Sequence, residues 1–144
     1  MDWIILPRSL QHVVIQTPAG DLNIFNYHGI AKPGDKLDTA ERLEQSEKIL
    51  KIWHNTGGHK ILCGDFNLMP ETQSVKILER SARNLIKEFN IDNTRNALSW
   101  NKFGHSKQHF ADYVFVSPEI KVKSFEVPYM EVSDHLPMEL VFRL

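Results

Sequence analysis

The period of hydrophobic and polar positions changes several times along the chain, and each change marks an element. Leu10 to Gln16 (LQHVVIQ) is rich in β-branched residues and predicts a strand. Pro18-Ala19-Gly20-Asp21 supplies turn chemistry. Leu22 to His28 (LNIFNYH) then alternates apolar with polar, which predicts a second strand, antiparallel to the first. In that alternation Leu22, Ile24 and Asn26 face one side, and Asn23, Phe25 and Tyr27 the other. After a loop over Gly29–Lys36 the period lengthens. Asp38 is the expected N-cap, and Glu41 stands three residues on, the spacing of a capping box. Leu43, Ile49, Leu50 and Trp53 share one helical face before Gly57-Gly58 ends the helix. Lys60 to Cys63 predicts a short strand that runs into Gly64-Asp65-Phe66-Asn67. A second helix is expected near Thr72–Ser74, turning Val75, Leu78 and Leu85 inward. Tyr113–Val116 and Lys121–Val127 predict two strands separated by Ser117-Pro118, and Pro137–Leu144 a last one after Ser133-Asp134-His135. Strands outnumber helices and the two are mixed, so the class is α+β or an α/β sandwich.

Composition narrows this picture. At roughly 150 residues per domain, 144 residues predict a single domain. A hydrophobic content of 42% is ordinary for a globular chain and excludes a disordered or collagen-like one. The longest apolar runs, Trp3-Ile4-Ile5-Leu6 and Tyr113-Val114-Phe115-Val116, fall far short of the roughly 20 residues that span a bilayer, so no membrane association is expected. Asp2, Pro7 and Arg8 interrupt the apolar core that a secretory signal needs. One cysteine, Cys63, cannot form an internal disulfide, which suits a reducing compartment; the expected location is cytoplasmic. The net charge of −1 weighs against a dedicated, sequence-blind DNA binder, though a local basic groove is compatible with it.

Chemistry enters at the strand ends. His28 closes one predicted strand, Asp65 and Asn67 follow another, Asp112 precedes a third, and Asp134-His135 precede the last. Side chains so placed can converge on one cleft at a sheet edge. Two carboxylates and an amide oxygen suit a hard cation such as magnesium. A neighbouring histidine can serve as acid, base or phosphate hydrogen-bond donor. Structural readings stand beside these. Asp65 and Asn67 are also turn formers, Asp134-His135 could cap a turn, Asp112 could pair with a nearby lysine, and His28 could be a half-buried strand-end histidine. His105 and His109 have zinc-compatible spacing, but no Glu lies between them and a strand follows, so a solvated loop is expected. Cys63 reads as a packed thiol, and His54 and His59 as complements to a helix dipole. Trp3, Trp53 and Trp100 read as core or interface.

The ordered motifs carry a resemblance. Gly64-Asp65-Phe66-Asn67, Ala111-Asp112-Tyr113-Val114 and Ser133-Asp134-His135-Leu136-Pro137 resemble the last three motifs of the endonuclease/exonuclease/phosphatase family, which includes DNase-like nucleases, AP endonucleases and several phosphodiesterases. Asn26-Tyr27-His28-Gly29 resembles its earlier Asn-x-His motif. Asp38-Thr39-Ala40-Glu41-Arg42 with Gln45 resembles the helix that follows. The resemblance runs from about Leu10 to Leu144. It implies an α+β fold corresponding to the C-terminal half of the family's four-layer α/β-sandwich, a mostly antiparallel sheet with flanking helices. Residues 1–144 would then form a single domain equivalent to the C-terminal part.

The same resemblance implies roles. Asp65 would orient or deprotonate the attacking water, and Asn67 would hold phosphate or water. His135 would contact the phosphate, with Asp112 fixing its tautomer, and His28 would assist a phosphate oxygen or the leaving group. Asp134 would bind Mg2+ or Mn2+. Thr94-Arg95 resembles a pair seen in some members, which leaves Arg95 either reaching a phosphate or making a surface salt bridge. The implied activity is metal-dependent phosphoester hydrolysis, as a nuclease, phosphodiesterase or phosphatase, through attack of an activated water on phosphorus. The chain departs from the family in lacking a Gln-Glu pair and an early Asn-bearing strand. That departure implies weak metal affinity and a homo-oligomer or complementing chain that restores the missing layer. It also leaves open a catalytically impaired relic acting as a structural or protein-binding module.

Overall fold

A computed structural model of the chain describes residues 8–99 and 108–144. Strands β1 (Leu10–Thr17) and β2 (Gly20–His28) form the expected antiparallel hairpin, with Leu10 opposite Tyr27 and Thr17 opposite Gly20. Helix α1 (Ala40–Asn55) then crosses over to β3 (His59–Asp65), which lies parallel to β2. A parallel neighbour requires such a long connection, whereas antiparallel ones do not. Helix α2 (Gln73–Glu79), strand β4 (Arg83–Asn84) and helix α3 (Leu85–Glu88) follow. Strand β5 (Asp112–Val116) inserts antiparallel between β3 and β4. The five-stranded sheet has the order β1-β2-β3-β5-β4, and β6 (Lys121–Glu126) with β7 (Glu139–Arg143) makes a separate antiparallel pair. Among these strands only β2 and β3 run parallel. The class is therefore α+β, as the pattern predicts, with the mostly antiparallel sheet that the family resemblance implies.

Register positions the chemistry. His28 lies beside Asp65 across β2 and β3, and Asp65 lies opposite Asp112 across β3 and β5. Three strand ends thus deliver three polar side chains to one edge. Beneath them the sheet packs an aromatic core. Phe66 sits edge-on to Tyr27, with ring centres 5.0 Å apart, and to Tyr113, at 5.3 Å. Burying each such ring stabilises the fold by roughly 1.5–3 kcal/mol, and the edge-on geometry adds about 0.5–1.5 kcal/mol per pair. Trp53 joins this core from α1 as expected. Trp3, Trp100 and His105 lie outside the described residues.

Several expectations shift. Thr39, not Asp38, caps α1: its extended backbone lets Oγ1 accept from the Arg42 amide at 3.2 Å. Arg42 thereby occupies the third helical position, so Glu41 cannot close a capping box. Asp38 instead reaches across to α2. Its carboxylate accepts from the Gln73 amide (2.7 Å), the Ser74 amide (2.9 Å) and the Ser74 hydroxyl (2.6 Å). A carboxylate at a helix N-terminus satisfies orphan amides and complements the positive end of the dipole. Leu85 does turn inward, but on α3, which Asn84 initiates by accepting from the Ile86 amide. The last strand begins at Glu139 rather than Pro137, because proline has no amide to give a ladder. On the outer edge, β1 leaves Val13, Val14 and Ile15 exposed. Among the described residues no helix is long and apolar enough to cross a membrane.

The Asp38 contact makes a measurable prediction. Partial burial would raise its pKa, but the hydrogen bonds from Ser74 and Gln73 outweigh this and hold it below the usual carboxylate value. A lowered folded pKa means stability that is fully present above the unfolded value, near 3.9, and lost as pH falls through the folded value. Asp38→Ala should cost about 1 kcal/mol in urea denaturation at neutral pH. The gap from the parent should close in acid; a gap that persists there would refute the assignment.

Candidate functional site

The segment after β3 builds the floor of a cleft. Gly64 has a φ of +134°, and Asn67 is left-handed at 53°, which reverses the chain within a few residues. Asp65 Oδ1 accepts from the Asn67 amide at 3.0 Å. Asp65 and Asn67 are therefore turn formers, and the turn is also what aims Asp65 Oδ2 into the cleft. That oxygen lies 3.8 Å from His28 Nε2 and 3.9 Å from His135 Nε2, beyond hydrogen-bonding reach of either. The Asn67 amide nitrogen donates to the Gly29 carbonyl (3.3 Å), and its oxygen accepts from Lys36 Nζ (2.9 Å).

Asp112 and His135 form the opposite wall. Asp112 is buried at the start of β5, and both carboxylate oxygens accept from His135 Nδ1, at 2.9 and 2.8 Å. Its partner is thus the histidine and not a lysine. The pairing places a proton on Nδ1 and turns Nε2 towards Asp65. The Asp112 hydrogen bond, opposed by burial, raises His135 above its ordinary pKa. Burial pushes the Asp112 carboxyl up while His135 pulls it down, with a net rise.

Thr94 is the strut that joins these pieces. Its hydroxyl accepts from the amides of Ala111 (3.0 Å) and Asp112 (3.2 Å), and its carbonyl accepts from the Leu136 amide (2.9 Å). The Ser133 hydroxyl accepts from the His135 amide (3.0 Å), which pins the loop bearing Asp134 and His135. Arg95, paired with His135 in an isolated bridge, is only 6% exposed. Its guanidinium stands 3.9 Å from Asp134 Oδ2. Arg95 thus makes a salt bridge from a buried position to a partly exposed Asp134 at the cleft.

The resulting cleft has a volume of about 500 Å³. His28, Asp65, Asn67, Asp134 and His135 all line it, and Asp112 supports His135 from below. Asp65, Asp112 and His135 each place one ligand-capable atom within 4.8 Å of the others. His28 is half exposed and takes a 2.6 Å contact from the Arg8 guanidinium. Of the other candidates, Cys63 is a packed thiol that donates to the Phe25 carbonyl, and burial pushes its pKa up. His109 pairs with Asn93. His54 does sit in the last turn of α1, but His59 begins β3 and stands 3.7 Å from the Glu119 carboxylate, away from any helix-dipole role.

Two residues escaped the sequence reading. Lys36 is buried at 5% exposure in the cleft wall. Arg42, also buried, holds the loop before α1: its guanidinium donates to the carbonyls of Ile30 (3.2 Å), Pro33 (2.5 Å) and Leu37, and to Asp35 (3.3 Å). Its place in the quoted helix motif was visible, but not its burial.

The profile of the Endonuclease/Exonuclease/phosphatase family matches residues 3–135. The chain belongs to that family. Solved members with the same fold include the endonuclease/exonuclease/phosphatase of Bacteroides vulgatus (20% identity over 86% of this chain, TM-score 0.68). Another is the mannosyl-6-phosphatase of Bacteroides thetaiotaomicron (22% over 99%, TM-score 0.64). A third is D. rerio TDP2 complexed with a single-strand DNA product (15% over 95%, TM-score 0.70). This family chain spans 50%, 60% and 62% of their respective lengths. No curated protein matches it in sequence.

Proposed function

We propose that the chain carries the phosphoester-hydrolysing cleft of an endonuclease/exonuclease/phosphatase-family enzyme. The observation behind this reading is the Asp112–His135–Asp65 array, in which a buried carboxylate fixes one ring nitrogen and leaves the other facing an unengaged carboxylate oxygen. Asp65 Oδ2 accepts the proton of the attacking water, His135 Nε2 donates to a phosphoryl oxygen, and Arg95 offsets the charge gathering there. The bond from water oxygen to phosphorus forms as the ester P–O bond breaks. His28, across Asp65 from His135, exchanges its contact with Arg8 for a hydrogen bond to the departing oxygen. Asn67 fixes the turn that aims Asp65.

A hard divalent cation, Mg2+ or Mn2+, fits the donors present. Asp134 offers a carboxylate oxygen at the cleft, Asp65 Oδ2 accepts no hydrogen bond among the described residues, and such ions complete their shell with water and substrate oxygens. When bound, it would supply charge compensation to the phosphoryl group. The substrate class we propose is a phosphoester, with a mannosyl-6-phosphate and single-strand DNA as examples suggested by the names of the solved relatives.

Hydrolysis of bis(p-nitrophenyl) phosphate with magnesium or manganese tests the proposal. Asp65→Ala and His135→Ala should each lower the rate by on the order of 10³. Equal background rates in parent and both variants would favour a catalytically impaired module instead.

A further inference from the structure

Lys36 is a charged cleft residue to which those roles assign nothing, yet the fold holds it at a double cost. Burying an ammonium is unfavourable unless it is paired. Among the described residues no carboxylate lies within ion-pairing distance of Nζ; its contact is a hydrogen bond to the neutral Asn67 side chain. Its backbone is also left-handed, with a φ of 60°, a region that disfavours any side chain beyond glycine except Asn or Asp. If this position served only to shape the loop, glycine would fill it at lower cost.

The surroundings nonetheless over-determine that conformation. The Lys36 carbonyl accepts from the Met69 amide (2.9 Å), Asp35 accepts from the Leu37 amide (3.0 Å), and Arg42 grips the Pro33 and Leu37 carbonyls on either side. Strain enforced in this way at a cleft points from the outlier to a use for the side chain. The chemistry of that use follows from the neighbours. Buried Arg95, which pairs with Asp134 at 3.9 Å, lines the same cleft, and the two cations repel one another less once an anion lies between them.

We infer that Lys36 is a phosphate-binding residue of the cleft, its ammonium forming with Arg95 the wall that receives the substrate's phosphoryl oxygens. This inference rests on the phosphoester reading above and adds to it a ground-state contact. The group best served is one with two negative charges, as in a phosphate monoester or the terminal phosphate of a longer molecule.

The test uses inorganic phosphate as the probe, titrated calorimetrically into the full chain in magnesium-containing buffer. Lys36→Met keeps the length of the side chain and removes its charge; Lys36→Gly also relieves the backbone. Both should raise the phosphate Kd about tenfold or more, while Lys36→Gly keeps or raises Tm. Unchanged Kd in the variants, no phosphate binding by the parent, or a Kd loss confined to a variant with lowered Tm would each overturn the inference. Turnover of p-nitrophenyl phosphate separates it from the proposed activity. A Lys36-dependent Kd without turnover in any protein would sink the activity and leave the site standing. Turnover by the parent with an unchanged KM in Lys36→Met would sink the site and leave the activity standing.

Discussion

Asp112→Asn should lower kcat for phosphoester hydrolysis by on the order of 10³ while leaving the fold in place. The carboxylate accepts from His135 Nδ1 through both oxygens and does not itself line the cleft. Its effect on chemistry therefore runs through the histidine. An amide of the same size keeps the shape, but it withdraws the negative charge that holds the ring protonated on both nitrogens, leaving a neutral ring whose Nδ1–H still donates to the amide oxygen. Nε2 then loses the hydrogen it is to share with a phosphoryl oxygen. Because Arg95 and Lys36 still meet the phosphoryl oxygens, KM should move less than kcat. Steady-state kinetics of the purified variant, with circular dichroism to establish folding, provide the check. An unchanged kcat would remove Asp112 and His135 from the chemistry.

Gly64→Ala should cost about 3 kcal/mol or more, a large share of the roughly 5–15 kcal/mol that holds an ordinary domain together. The site has two independent reasons to reject a methyl group. Its φ of +134° is one that side-chain-bearing residues rarely adopt, and an added Cβ would lie 2.1 Å from the Tyr27 carbonyl oxygen and 2.9 Å from Asn26 Oδ1. Tyr27 and Gly64 are partners across β2 and β3, so relief would require prying those strands apart. The next pair along is His28 and Asp65, and the separation would spread to the cleft. Urea denaturation measures the loss. A midpoint matching the parent would show that the strands yield more easily than their pairing implies.

Much of this architecture was legible because it is periodic. The β1–β2 hairpin and α1 each repeat a pattern over enough residues to declare a face. The strand-end residues were legible for a related reason: once the strands are placed, polar groups at their ends have one rim to occupy. What failed was local choice governed by distant partners. Asp38 and Thr39 are both good cap residues, and only the approach of α2 decides that Thr39 caps α1 while Asp38 serves the other helix. Strand β4 is too short to show any period. Lys36 reads as solvated because lysine in a loop ordinarily is; its burial arises when Arg42, on the following helix, draws that loop inward.

That same arginine has a consequence for how such a cleft could be altered. Apart from Asp35, it grips the loop by main-chain oxygens, at Ile30, Pro33 and Leu37. Carbonyls are common to every amino acid. The path of the segment is thus largely indifferent to which side chains it displays, and new ones could be grafted along it without redrawing its course. Discrimination among ligands can be rewritten there as on an interchangeable keypad, with the hydrolytic wall on the strands left untouched.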